Sequence, residues 1–219
     1  MKLRDIRANA REALKGNWLV AIIASFIAGT FTASGSGVSS SVSEDVDFSA
    51  LDQLTSTELL TTLAVFGGII LFGLIVSVLI SALISVGYAQ FNLDLVEGFK
   101  PSIGTMFSKG KQVGTAIAAN ILVFIRVFFG TILFIIPGII ASYKYAMVNY
   151  VIADNPGITA REALERSKEI MEGNKFRFFL LGLSFIGWSI VVVLTFGIAA
   201  IWVGPYMQAS FAAFYKEIA

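Results

Sequence analysis

The chain has no cysteine and no histidine. The first absence excludes a disulfide, a thiolate nucleophile and a zinc–thiolate site, and the second removes the commonest general base and metal ligand. Charge is also scarce: 14% of the 219 residues are Asp, Glu, Lys or Arg, against about 25% in a soluble domain. No Asp or Glu lies inside any of the long apolar runs, which disfavours a proton- or sodium-coupled carrier, since such carriers keep an acidic group in the membrane. There is no G-x-x-x-x-G-K-[ST] loop, and "SKGKQVGT" at 108–115 lacks that spacing, so this chain holds no ATP-driven motor of its own. The serine-rich stretch near residue 40 offers hydroxyls without a base to activate them. These subtractions predict no catalytic residue, no cofactor and no metal, and nothing in the sequence points to nucleic acid.

What remains is oil. The chain is 56% hydrophobic with a mean hydropathy of +0.80. Apolar runs at about 18–33, 59–88, 114–136, 138–151, 176–196 and 198–214 are read as crossings, since roughly 20 apolar residues span a hydrocarbon core of about 30 Å. The expected fold is an all-α polytopic transmembrane bundle of six helices forming a single membrane domain over 1–219. Between the runs lie two amphipathic helices. Residues 1–15 set Leu3, Ile6, Ala10, Ala13 and Leu14 on one face against five basic residues, the pattern of a membrane-surface helix. Residues 158–174, "ITAREALERSKEIMEGN", open on a Thr159–Glu162 capping box, stop at Gly173, and space Glu162–Arg166 and Lys168–Glu172 for i,i+4 pairing.

Charge sets the expected orientation. With the N-terminus inside, 15 of the 16 Lys and Arg residues fall on inner segments, and the outer loop at 35–57 is purely acidic. This bias predicts a plasma-membrane protein with both termini in the cytoplasm. A cleaved signal peptide ending near Thr32-Ala33-Ser34 is the weaker reading, because the opening amphipathic helix is longer than an n-region and has counterparts downstream.

Those counterparts suggest a repeat. "LKGNWLVAIIASFI", "SKGKQVGTAIAANI" and "MEGNKFRFFLLGLSF" lead into the membrane, and "GYAQF", "SYKYA" and "PYMQA" lead out, with Tyr88, Tyr143 and Tyr206 at similar points. Three interfacial-helix-plus-hairpin units are expected, at about 1–95, 96–155 and 156–219.

The passage "IPGIIASYKYAMVNYVIADNPGITAREALERSKEIMEGNKFRFF", 136–179, resembles the signature region of the bacterial domain-of-unknown-function 975 family of integral membrane proteins. That family is similar in style to the membrane domain beside some glycerophosphodiester phosphodiesterases. The resemblance implies a six-helix inner-membrane protein, and it brings no activity or catalytic residue.

One cation stands out. Arg126 lies within "NILVFIRVFFGTILF", and because a charge at mid-bilayer costs about 2.5–3.5 kcal/mol it is expected to face the bundle interior or a wet cavity. Asn120, Thr131 and Ser85, backbone carbonyls freed near Pro137 or Pro205, and Glu58 are the candidate partners for it. Asn120, Asn149, Lys144 and Tyr143 join it as candidate ligand-binding residues for an anion such as a lipid phosphate. The plainer reading is an arginine satisfied by interior carbonyls and water. Gly73, Ser77, Ser81 and Ser85 recur every fourth residue and are expected to pack against another helix. Gln90 and Gln208 are expected to cap helix ends rather than line an inner vestibule. Most of the tyrosines and Trp18 read as interfacial anchors.

The expected function is a non-enzymatic structural or accessory bundle that binds membrane lipids, anionic headgroups in particular, or another membrane protein. The alternative is a permease-like protein passing an anionic or amphiphilic molecule through an interior centred on Arg126.

Overall fold

In the lipid-like apolar runs the backbone can satisfy its own hydrogen bonds only as helix, and the described part of each run is mainly helical. The computed structural model describes residues 3–28, 56–133 and 135–219, and no strand occurs among them. Residues 35–55 of the expected outer loop at 35–57, the end of the first run and the Thr32-Ala33-Ser34 step lie outside the described residues. The helices are α1 (Leu3–Leu14), α2 (Trp18–Ala28), α3 (Ser56–Val96), α4 (Val113–Leu133), α5 (Ile135–Lys144), α6 (Val148–Asp154), α7 (Ala160–Ile170), α8 (Lys175–Leu183), α9 (Ile186–Leu194) and α10 (Ala200–Ile218). Two 3-10 turns, Ile103–Phe107 and Gly110–Gln112, join α3 to α4. Among the described residues Val76–Val96, Ile103–Ile132 and Lys175–Leu194 are long and apolar enough to cross a membrane. The described residues are therefore helical, with three such segments, which is consistent with a membrane protein.

Burial is segregated along the helices. Within α3 the residues Val65, Ile69, Phe72, Val78 and Leu79 are exposed, whereas Ala82, Ile84, Val86, Phe91, Leu93 and Leu95 are buried. On α4 the order reverses: Ala116 and Ala119 are buried, and Ile121, Phe124, Phe128, Phe129 and Ile132 are exposed. On α10, Ile201 and Trp202 are exposed and Tyr206 to Tyr215 supply much of the core. One zone is packed like a globular interior and the other presents oily side chains outward, the division expected where lipid covers the second zone.

The amphipathic helices behave differently from the surface-lying reading. Ile6, Ala10 and Leu14 of α1 are completely buried, with α1 packed against α10 and α3. Its apolar face is thus spent on protein rather than on lipid, because α10 offers a matching apolar stripe. Arg4, Arg11 and Lys15 remain exposed. Helix α7 buries Ala163, Leu164, Ser167 and Ile170.

The capping box forms as expected. The Glu162 N–H donates to Thr159 Oγ1 at 3.3 Å, and the Thr159 N–H donates to the Glu162 carboxylate at 2.9 Å. The Thr159 backbone N–H and hydroxyl hold the Glu162 carboxyl below its ordinary range. Gly173 takes a left-handed φ of 78° just beyond α7, a conformation that costs a residue with a Cβ. The expected i,i+4 pairs give way to i,i+3 ones: Arg166–Glu169 at 3.5 Å and Lys168–Glu165 at 3.2 Å. Glu162 is already engaged by the cap, and Arg166 also donates to the Ala219 carbonyl at 3.2 Å.

Among the described glycines, close backbone approach occurs outside the small-residue stripe. Gly73 is exposed, and a Cβ there would meet nothing among the described residues within 4 Å. Ser81 and Ser85 instead donate back to carbonyls of their own helix, Val78 at 3.1 Å and Ala82 at 3.0 Å. The tight contacts are Gly87 on Met106 and the α4–α5 hairpin, where a Cβ on Gly138 would come within 2.7 Å of Thr131 Cα. Pro137 lies in the first turn of α5 rather than at the reversal itself, a place where its missing N–H costs nothing.

Candidate functional site

Three chain segments leave the apolar zone toward the packed one, and each carries a tyrosine whose hydroxyl meets an earlier element. The Tyr88 hydroxyl lies 2.6 Å from Ser25 Oγ of α2. Arg126 Nη1 of α4 donates to the Tyr145 hydroxyl at 3.4 Å, and Arg7 Nε of α1 donates to the Tyr206 hydroxyl at 3.0 Å. The second of these contacts is made by Tyr145, two residues beyond Tyr143. Tyr143 packs edge-on against Phe178 and Phe179 of α8, each ring 6.0 Å away.

The register extends further. Four residues beyond each tyrosine stand Asn92, Asn149 and Ser210. Asn92 Nδ2 donates to the Tyr88 carbonyl at 2.7 Å, and Ser210 Oγ donates to the Tyr206 carbonyl at 2.8 Å. Asn149 breaks the pattern, since the helix is interrupted between Lys144 and Val148, and its Oδ1 is buried with no hydrogen-bond partner. Nine residues beyond Tyr88 and Tyr145 stand Glu97 and Asp154, and both meet Lys216 of α10, at 2.6 and 2.8 Å. The Tyr215 hydroxyl adds a bond to Asp154 at 3.1 Å.

Between these segments lies a half-open cavity of about 420 Å³. Its polar lining consists of Ser25, Ser85, Tyr88, Asn149, Tyr150 and Gln208, and the rest is apolar, including Met207, Phe178 and Phe211. The Tyr150 hydroxyl donates to Gln208 Oε1 at 3.4 Å. Gln208 thus lines the cavity instead of capping a helix, while Gln90 donates along its own helix to Asp94. Among the described residues no charged side chain is in the lining.

Arg126 is not in this cavity. It is exposed on the outer face of α4 among Phe124, Ile125, Phe128 and Phe129, its guanidinium 5.4 Å from the centre of the Tyr145 ring. The expectation of an interior-facing arginine is corrected: the hairpin turns this face of α4 outward and supplies a tyrosine ring as its protein contact. Thr131 is occupied with the Val127 carbonyl at 2.8 Å. Asn120 is half-buried on α4, and Lys144, also half-buried, accepts a bond at its carbonyl from Ser167 Oγ at 2.9 Å. Of the expected ligand residues, only Asn149 lines the cavity. Ser25, Tyr88, Tyr150 and Gln208 are its further members, and the tyrosine-plus-four spacing is a sequence signal for the level of Asn149. Among the described residues, no group of three or more carboxylates is placed to hold a metal ion.

A family model described as "Protein of unknown function (DUF975)" matches residues 11–219. No curated protein and no solved structure matches.

Proposed function

The chain belongs to the DUF975 family of proteins of unknown function, and we propose that it is a non-enzymatic, multi-pass membrane bundle that binds anionic lipid on its outer face. The reading has six crossings in three hairpin units and both termini in the cytoplasm. The shared tyrosine register, with Lys216 tying the ends of two units to the third, supports the repeat; the one-sided distribution of Lys and Arg supports the orientation.

One observation carries the lipid assignment: Arg126 is exposed in an apolar strip, and no carboxylate among the described residues pairs with it. A guanidinium keeps its charge at any accessible pH, and hydrocarbon does not solvate it. A phosphate does, accepting two parallel N–H bonds, while the Tyr145 ring covers the guanidinium's other side. The alternative of a permeation path centred on Arg126 needs that side chain in the interior, where it does not lie.

Arg126→Ala should cut the phosphatidylglycerol that co-purifies in mild detergent by about tenfold, the scale of losing one charge-assisted pair, and Arg126→Lys should restore only part of it. The measurement is lipid mass spectrometry on protein of matched yield. Unchanged phosphatidylglycerol beside a lower melting temperature would make Arg126 a packing residue and end the assignment.

A further inference from the structure

The basic face of α1 carries a second cluster of cations, at the border between the packed zone and the oily one. We propose that Arg4, Arg7 and Arg11 together bind the headgroup of a lipid with two phosphates, of the diphosphatidylglycerol class. The three residues stand at i, i+3 and i+7 and line one open hollow of about 530 Å³. That spacing makes two neighbouring pairs on one helix face, Arg4–Arg7 and Arg7–Arg11. Arg4 and Arg11 are about 10 Å apart along the axis, so Arg7 is the shared member of two pairs, and each pair takes one phosphate.

Arg7 is the fixed member. Its Nε donates to the Tyr206 hydroxyl at 3.0 Å, and its guanidinium stands 5.3 Å from the centre of the Phe185 ring and 5.8 Å from that of Tyr206. Among the described residues no acceptor engages its two Nη groups, and no ion pair or hydrogen bond engages Arg4 or Arg11, both exposed. Guanidinium groups hold phosphate oxygens through parallel N–H bonds. Asp5 also lines the hollow and reduces its positive charge without cancelling it. The ring contacts set the depth: Phe185 is buried, whereas Ile186, Trp188 and Ile190 just beyond it are exposed, and Trp188 lies edge-on to Tyr206 at 6.4 Å. An anion at Arg7 therefore has an oily wall beside it for acyl chains, which favours a lipid over a soluble phosphate. The inference rests on the membrane reading above, since the bilayer supplies the ligand.

The test titrates diphosphatidylglycerol and phosphatidylglycerol of matched chains into purified full-length protein, both wild type and Arg126→Ala, which lacks the outer-face arginine. Arg126→Ala should bind diphosphatidylglycerol about tenfold more tightly than phosphatidylglycerol, the scale of one further charge-assisted pair, and wild type should show the same order. Adding Arg4→Gln and Arg11→Gln should abolish that preference and leave the melting temperature in place, because both side chains are exposed. Sodium pyrophosphate, which offers two phosphates without chains, should not displace the lipid at equal concentration. Equal binding of the two lipids by Arg126→Ala, an undiminished preference after Arg4→Gln and Arg11→Gln, or displacement by pyrophosphate would overturn the proposal. The outer-face reading is tested by the phosphatidylglycerol that Arg126→Ala loses, so either can fail while the other stands.

Discussion

Gly87→Ala should cost about 3 kcal/mol or more, the upper end of what one added methyl does in a packed core. Gly87 is buried on α3, where the 3-10 turn Ile103–Phe107 crosses it. A Cβ at this position would fall on the Met106 carbonyl oxygen and within 2.8 Å of Met106 Cα. The obstacle is backbone, so no side-chain rotation relieves it. Either α3 or the 3-10 turn must move, and Phe91, Leu93 and Met106, all fully or almost fully buried, move with it. Gly73→Ala in the same helix provides the control: its Cβ meets nothing, and alanine is favoured over glycine in a helix by about 1 kcal/mol. Thermal unfolding in detergent should therefore shift down strongly for the first variant and stay level or rise for the second. Equal shifts would show that the close approach does not exist.

Lys216→Met should be the most damaging change of a charged residue. The Lys216 ammonium holds Glu97 from the end of α3 and Asp154 from the end of α6, and without it two carboxylates are left beside one another. The three side chains are between about a quarter and two-fifths exposed, so solvent screens part of the interaction. The expected loss is about 1–2 kcal/mol. Burial pulls the Lys216 amine down, but the hydrogen bonds and charges of Asp154 and Glu97 outweigh it and hold the amine above its ordinary value. A raised amine contributes fully below the ordinary lysine range and loses its contribution as pH rises through the folded value. Wild type should thus destabilise only in strongly alkaline solution, by a step that Lys216→Met lacks. Adding Asp154→Asn to Lys216→Met should recover part of the loss by removing the repulsion. No recovery, and no difference between the two proteins at high pH, would show that the three ends are not tied together.

Much of this architecture is legible in the residues, because membrane helices announce themselves by length and oiliness. The Thr159–Glu162 box and Gly173 mark both ends of α7 by local chemistry alone, and both form as the spacing predicts. Arg126 was conspicuous for its type, yet its direction depends on how α4 and α5 rotate against one another. That rotation is set by Gly130 and Gly138 meeting across the hairpin, a tertiary contact with no periodic signature. The same limit explains the small-residue stripe: spacing of four says that Gly73 to Ser85 share a face, but not which helix arrives there. Gly87, outside that stripe, is where the 3-10 turn Ile103–Phe107 comes against α3. The exit tyrosines are visible as a class, and "SYKYA" offers two of them, Tyr143 and Tyr145. The hydroxyl contact with an earlier helix falls on Tyr145. The cavity was least legible, since Ser25, Tyr88, Asn149 and Gln208 are brought together from 184 residues of chain by packing alone.

The central claim is a cytoplasmic packed zone beneath a lipid-covered one, with the acidic stretch at 35–55 on the opposite side of the bilayer. The native absence of cysteine makes single-cysteine labelling the most direct measurement. In intact cells a membrane-impermeant maleimide should label Ser40→Cys at once, and should reach Asn155→Cys and Glu172→Cys only after permeabilisation. Labelling of Asn155→Cys or Glu172→Cys in sealed cells, with Ser40→Cys protected, would contradict the account.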